Sequence, residues 1–346
     1  MKRNLFFVTA SVLALSSAAA FASDNTVYLN QSGNTQNADI TQEGAGNSVG
    51  NNGWFIQAAL ASGDAGNYLS VTQTSTSNAS TSNGYQYGSN NTAHLTQSGY
   101  GSNIVLQQYG NDNGRTTSNT GPSDVITQNG TAYQSNVTLS QGGNSNLFDI
   151  TQGGYQNNAT ANQSGNANKV TIKQALAYDS TYGNWYNRVN SQQTGSYATA
   201  DITQAGSSNA IDSYQYGNGG TASQKLTANT IGSSNYIYNN QTGVDITADL
   251  KQAGSSNYIY NYQSGATQSV VVSQLGNGNG VVGQQAGDNN KVKIDQGKGE
   301  LTGNNNYANY YQNGSTLTLA LTQTGNGNTS YTNQTGTGSI ATIIQK

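Results

Sequence analysis

The chain has 346 residues, 33% of them hydrophobic and 8% charged, and a formal net charge of −3. Its 49 Asn and 33 Gln make about a quarter of it carboxamide, beside 43 Gly, 23 Tyr and one Pro. So little apolar material excludes an ordinary hydrophobic core, and so little charge and proline excludes the usual disordered chain. Polar, uncharged, Asn/Gln-rich and Tyr-bearing sequences belong instead to the β-aggregating class. The absence of cysteine excludes a disulfide framework and thiol chemistry.

The first element in chain order is a secretory signal peptide. Lys2 and Arg3 precede an apolar or small run from Leu5 to Ala20, and Ala20-Phe21-Ala22 has the small-x-small form of a cleavage site. Residues 1–22 are therefore read as the signal and residues 23–346 as the mature chain. No later stretch approaches the roughly 20 apolar residues of a spanning helix, so no transmembrane segment is expected in the mature chain. The mature chain is mildly acidic and has no basic stripe, which weighs against nucleic acid as its main partner.

From there on the chain is one repeat. Between Gln141 and Gln174 the unit Q-x-G-x-x-N-x5-Q recurs, with Gln141, Asn146, Gln152, Asn157, Gln163, Asn168 and Gln174 as anchors, and it advances by 11 residues. Carried through the mature chain it gives 26 anchors from Gln31 to Gln345, with Thr230 standing in for one Gln. Of the 25 intervals, 17 are 11 residues long. The other eight are read as turns carrying insertions, the longest lying between Gln108 and Gln128 and between Gln174 and Gln193.

In N-x5-Q the two amides stand six apart, so in a strand of period two they share a face. The segment ending at Gln152 then points Asn146, Phe148, Ile150 and Gln152 inward and Leu147, Asp149 and Thr151 outward. The G-x-x between Gln and Asn is turn chemistry. Alternate segments differ: some hold aliphatic pairs at the central inward sites, as Val170/Ile172, and others smaller or more polar ones, as Ile259/Asn261. The true unit is thus a 22-residue strand-turn-strand-turn.

Such a unit buries its inner face only by stacking on a copy of itself. The predicted fold is all-β, a stacked strand-turn-strand β-solenoid, amyloid-like, of about 13 rungs with in-register Asn/Gln ladders. At the 4.7–4.8 Å spacing of cross-β structure, side-chain amides bond along the stack as backbones do, which satisfies them when buried. The residues assigned to the stacking ladder are Gln31, Gln42, Gln97, Gln108, Asn146, Gln152, Asn157, Gln163, Asn168, Gln174, Gln204, Asn209, Gln215, Asn235, Gln241, Gln252, Asn257, Gln263, Gln274, Asn279, Gln285, Asn290, Gln296, Gln323, Asn328, Gln334 and Gln345. Tyr236/Tyr258 and Tyr238/Tyr260 are expected to form outward columns. The first strand starts almost at the cleavage site and the last is followed only by Lys346, so neither end is expected to have a cap. Self-complementary ends of this kind generate a filament.

The S/N-x5-Q-x-G-x-x-N-x5-Q unit resembles the curlin repeat of bacterial curli fibre subunits. It is clearest over Ser102–Gln108, Asn146–Gln163, Asn168–Gln174 and Ala198–Gln215, and extends over essentially the whole mature chain. The resemblance implies an extracellular functional amyloid, secreted through the periplasm and an outer-membrane export channel. It implies a nucleator or companion curlin subunit as partner, and a role in biofilm matrix and surface adhesion. It also places the stacking role on Gln and Asn anchors such as Gln152, Asn157, Gln163, Asn168, Gln174, Gln204, Asn209 and Gln215. This chain has roughly 13 repeat pairs where such subunits have about five.

No residue set points to catalysis, and no cofactor or metal is expected. His94, the one histidine, falls at an outward position with no second ligand beside it. Gly276-Asn-Gly278-Asn-Gly280 is a turn after Gln274, without the strand-helix context of a phosphate loop. Asp39, Asp149, Asp201 and Asp249 recur at one outward position and are candidate gatekeepers against untimely association. The insertion after Gln174, with Tyr178, Tyr182, Trp185 and Tyr186, reads either as an exposed adhesive loop or as a loop packed on the wall. The sequence thus points to a self-assembling structural subunit. The alternatives are a nucleator that templates another curlin and, in another class, a monomeric β-solenoid that binds ice or carbohydrate, for which outward Thr41, Thr127, Thr151 and Thr203 are the hint.

Overall fold

The computed structural model describes residues 24–33, 35–50, 55–58, 66–74, 79–114, 124–174, 185–217, 223–297 and 303–346. The signal segment at 1–22 and Tyr178 and Tyr182 lie outside the described residues. Those described form 28 strands, paired in parallel throughout, in two sheets.

A parallel pair needs a crossover of a dozen or so residues, and here the crossover is a strand of the opposite sheet. Asn136–Asn144 runs in the first sheet, Leu147–Gln152 returns in the second, and Asn158–Asn166 then lies on Asn136–Asn144. The register carries Gln141 onto Gln163 and Gln152 onto Gln174, a shift of one 22-residue unit. The second sheet has 13 strands, from Asn37–Gln42 to Ile340–Gln345, so the molecule is a β-solenoid of 13 rungs. At cross-β spacing it is about 62 Å long. The first sheet counts 15 strands because its first two rungs are each split, Thr26–Val27 from Leu29–Ser32 and Ser48–Val49 from Phe55–Ala58.

The inward residues of both sheets meet in one narrow core, which includes Leu69, Val71, Phe148, Ile150, Val170, Ile172, Ile202, Leu250 and Ile294. In the first sheet the central inward sites turn polar in places, with Ser191, Ser213, Asn239 and Asn261 buried. Tyr310 also points inward. It is 2% exposed, is paired in register with Gly283, and donates from its hydroxyl to Asn261 Oδ1 at 3.0 Å, two rungs away. A Cβ on Gly283 would stand 1.8 Å from that ring, so the glycine makes the room.

The regular eleven-residue units combine two unusual backbone positions in the turn. In the turn after Gln141, Gly143 has φ 99° and Ser145 has φ 56°. A Cβ at Gly143 would lie 2.1 Å from the Gly165 carbonyl oxygen of the next rung. The repeat glycine is therefore fixed by close stacking as much as by its dihedral.

Two of the eight insertions are not in turns. Asn47 follows Gln42, and Asn113 follows Gln108, at the regular five-residue turn spacing, and the extra residues come later, between Val49 and Phe55 and between Gly114 and Asp124. They interrupt strands of rungs two and four. Counting back from Gln128 hides this, because it places the turn anchor at Pro122 instead of Asn113. Register survives every insertion: Gln97 still pairs with Gln128 and Gln108 with Gln141.

Candidate functional site

Because every unit returns in register, the anchor glutamines fall into two columns, one per sheet. In the first sheet Gln31, Gln57, Gln86, Gln108, Gln141, Gln163, Gln193, Gln215, Gln241, Gln263, Gln285, Gln312 and Gln334 are linked by an unbroken series of amide hydrogen bonds of 2.7–3.2 Å. Each Nε2 donates to Oε1 of the next rung towards the C-terminus. Most also donate to a backbone carbonyl of the opposite sheet, as Gln163 Nε2 to Leu147 O at 3.3 Å. The amide thus ties rung to rung and sheet to sheet. From Gln57 to Gln312 the column is essentially without solvent contact, and a buried amide left unpaired there costs about 1–3 kcal/mol.

The second column runs through Gln42, Gln73, Gln97, Gln128, Gln152, Gln174 and Gln204, and resumes through Gln252, Gln274, Gln296, Gln323 and Gln345, with bonds of 2.7–3.1 Å. Between the halves stands Thr230, paired in register with Gln204 and Gln252. Its side chain does not reach the amide line, and Thr230 Oγ1 and Gln252 Oε1 are both buried without a partner.

The asparagines add main-chain bonds to an amide ladder of their own, in which Asn209, Asn235 and Asn257 each donate from Nδ2 to Oδ1 of the asparagine one rung before, at 3.0–3.1 Å. Asn157, Asn187, Asn209, Asn235, Asn257, Asn279, Asn306 and Asn328 stand in consecutive rungs of the first sheet, and Oδ1 of each as far as Asn306 accepts the backbone N–H of the asparagine above, at 2.8–3.1 Å. Their Nδ2 groups take carbonyls of the turns: Asn209 donates to Ala205 O in its own turn and to Gly232 O in the next. In the second sheet Asn146 and Asn168 do the same, Asn146 Nδ2 reaching Gly142 O and Gly165 O. Asn290 has no asparagine above it, and its Oδ1 accepts the N–H of Leu317 at 3.0 Å. These side chains clip successive turns through the main chain. Asn187 and Asn306 belong to the set but follow lengthened turns, which conceal them from the motif, whereas Asn47 and Asn113 keep the Gln-to-Asn spacing that marks them.

A buried carboxyl in the core is also hidden from the repeat. Asp124, fully buried, follows the interrupted strand and occupies a central inward site in register with Ala93. It accepts from Phe148 N at 2.6 Å, Gln108 Nε2 at 2.8 Å and Gln141 Nε2 at 3.4 Å. Burial pushes its pKa up to about 8 against the lowering effect of those donors.

The two outer faces differ in chemistry. The first sheet carries Tyr85, Tyr87 and Tyr109 on rungs three and four, then Tyr214, Tyr216, Tyr236, Tyr238, Tyr258, Tyr260 and Tyr262 on rungs eight to ten. Tyr236 pairs with Tyr258 and Tyr238 with Tyr260, while the rings lean diagonally: Tyr214 meets Tyr238 at 5.6 Å, Tyr236 meets Tyr260 at 5.4 Å and Tyr238 meets Tyr262 at 5.2 Å. Among the charges of its strands, Arg188 and Asp212 neutralise each other at 2.7 Å, with Tyr236 Oη donating to the same carboxylate at 3.0 Å, and Asp288 stands at a strand end. Lysines and aspartates instead populate the second sheet. Asp39, Asp149, Asp201 and Asp249 share one column there but never stand in adjacent rungs: Thr171 separates Asp149 from Asp201, and Thr227 separates Asp201 from Asp249. Asp249 pairs with Lys251 at 2.9 Å.

His94 lies on the second face against Tyr68, ring centroids 5.3 Å apart, and burial holds it below its ordinary pKa. No His, Cys, Asp or Glu cluster suited to a metal occurs among the described residues, and no helix there is long and apolar enough to cross a membrane. On the turns, Tyr100, Tyr133 and Tyr155 stack at 5.1 and 4.3 Å, and Trp185 joins the column at 6.3 Å while staying 55% exposed. Trp185 is thus packed on the wall and open to solvent at once.

A search of curated proteins finds no match. Residues 143–175 match the family model described as Curlin associated repeat. That stretch spans the turns and strands around Gln152, Gln163 and Gln174, whose geometry the other rungs reproduce. Over that stretch the chain is similar to the curlin-repeat family, a family of structural fibre subunits, and the parallel two-sheet stack is consistent with it.

Proposed function

We propose that the protein is a secreted subunit that assembles head to tail into curli-type extracellular fibres, serving biofilm matrix and surface adhesion. A companion nucleator and an outer-membrane export channel are its proposed partners, and residues 1–22 its proposed export signal. The observation that carries the reading is the state of the two end rungs. Leu29 and Ile40 at one end, and Ala341 and Ile343 at the other, are only partly buried, although their counterparts inside the stack are fully buried. Setting the last rung of one copy under the first of another brings Ile343 to Ile40, Ala341 to Ala38 and Gln345 to Gln42. The ladder's direction fits this join, since Gln345 ends its column with Nε2 and Gln42 begins it with Oε1. A contact of this heterologous kind does not close, so it continues as a filament.

The test is to purify residues 23–346 and leave them in dilute buffer. Fibres with a 4.7–4.8 Å meridional reflection are expected, and Ile343→Lys in the last rung should stop elongation of wild-type seeds. A stable monomer at high concentration refutes the proposal. Failure to form fibres alone, combined with rapid seeding of a second curlin, favours the nucleator.

A further inference from the structure

We propose that the tyrosine face of the first sheet is a lateral docking surface for a second copy of this chain, pairing filaments side by side; the proposal rests on the fibre reading. The surface carries little charge: Arg188 and Asp212 are consumed by each other, and Asp288 stands at the turn end of its strand, whereas the lysines and the other strand aspartates lie on the opposite sheet. Of the two faces, this one approaches its own copy with the central part of its strands free of unpaired charge. The rings are also pre-organised. Tyr214, Tyr238 and Tyr262 form a diagonal line of ring contacts at 5.6 and 5.2 Å, Tyr236 and Tyr260 a second at 5.4 Å. Tyrosines held in this way give large contact area at small entropic cost.

The size of the patch decides when it acts. Its tyrosines pause at rung eleven, where Val282 and Gln284 face out, and resume at Tyr307, Tyr311 and Tyr331, so the face spans rungs eight to thirteen. Six rungs at about 4.8 Å and seven strand residues at about 3.3 Å give a patch of about 29 by 23 Å, or about 650 Å². A specific interface needs about 800 Å² per partner, so two free subunits fall short. Along a filament the patch recurs every 13 rungs, about 62 Å, and the contact grows with length. Both partners carry the same rung period, so ring rows that register at one subunit register at all. Pairing is thus a property of filaments and absent from monomers.

The experiment compares fibres of wild type, Tyr238→Thr/Tyr260→Thr/Tyr262→Thr, the single Tyr262→Lys and a control, Lys291→Thr/Lys293→Thr, by electron microscopy and fibre diffraction. Tyr262 is 41% exposed, so its lysine variant keeps the fold while setting like charges face to face in a pair. Wild type and control should show paired filaments, and both tyrosine variants single ones of half the width, with the 4.7–4.8 Å reflection retained. Pairing that persists in Tyr262→Lys, or that is lost in the lysine control instead, overturns the proposal. So does wild-type pairing that appears only when a neutral polysaccharide is added, which assigns the face to glycan. If wild type forms no fibres at all, the fibre reading itself fails, and that outcome is seen before any variant is made.

Discussion

Thr230→Gln restores the one missing step in the second amide column. Thr230 and Gln252 leave two buried oxygens without partners, and the glutamine columns above and below already have the geometry a new amide would extend. Relieving such buried orphans contributes about 2 kcal/mol. Fixing a longer side chain in one rotamer offsets about 1 kcal/mol of this, leaving a gain of about 1 kcal/mol. That corresponds to local opening about fivefold rarer. Hydrogen exchange read by mass spectrometry is the assay, on peptides covering 199–207, 224–233 and 246–255, with 136–152 as internal reference. Protection should rise about fivefold in the first three and stay level in the last. Thr230→Val separates the two contributions: it removes the orphan hydroxyl but leaves Gln252 Oε1 unpaired, so it should gain less. Unchanged or lower protection in Thr230→Gln would refute the idea that amide continuity stabilises the stack.

Asp124 makes stability pH-dependent. Its pKa in the fold, about 8, lies above its ordinary 3.8, so the unfolded chain loses the proton first. The rung is fully stable below about pH 4, weakens by about 1.4 kcal/mol per unit as pH rises, and levels off above pH 8. Asp124→Asn should flatten this slope in urea melts and raise stability at pH 7. Gly143→Ala should cost at least about 2 kcal/mol, because φ 99° and the Gly165 carbonyl both oppose a Cβ. Gly142→Ala, whose added Cβ meets nothing nearer than 4.0 Å, should cost little in the same melt. Asn at positions 39, 149, 201 and 249 in place of Asp should shorten the assembly lag in a dye-binding time course if those carboxylates act as gatekeepers. Since Thr171 and Thr227 keep three of them apart in the native register, their effect falls on misregistered encounters, and an equal or longer lag argues against it.

What the sequence made legible follows from parity. Six residues from Asn to Gln is an even number, so Asn146, Phe148, Ile150 and Gln152 had to share a face, and the 22-residue return had to set Gln152 on Gln174. Three things lay beyond that argument. The insertion before Gln128 falls inside a strand, and an interval length does not say on which side of the turn anchor the extra residues lie. Asp124 therefore gave no sign of entering the core. The asparagines bind main chain as well as one another because the residue before each, such as Ser145 or Ser208, takes the left-handed conformation, which turns the asparagine N–H along the stack; a one-dimensional pattern of amides carries no such information. Tyr310 reads as one more strand tyrosine until Gly283 is found below it.

A two-sheet stack of this kind has no closure condition. In a β-barrel, strand number, tilt and shear are linked, so that adding a strand changes the radius and every interior contact. Here one more 22-residue unit lengthens the body by about 4.8 Å and leaves the cross-section, the neighbours of each inward residue and both end surfaces as they were. Rung number is thus a freely drifting quantity, open to tandem duplication or loss of whole units without redesign, and thirteen is a count that the core physics neither demands nor resists.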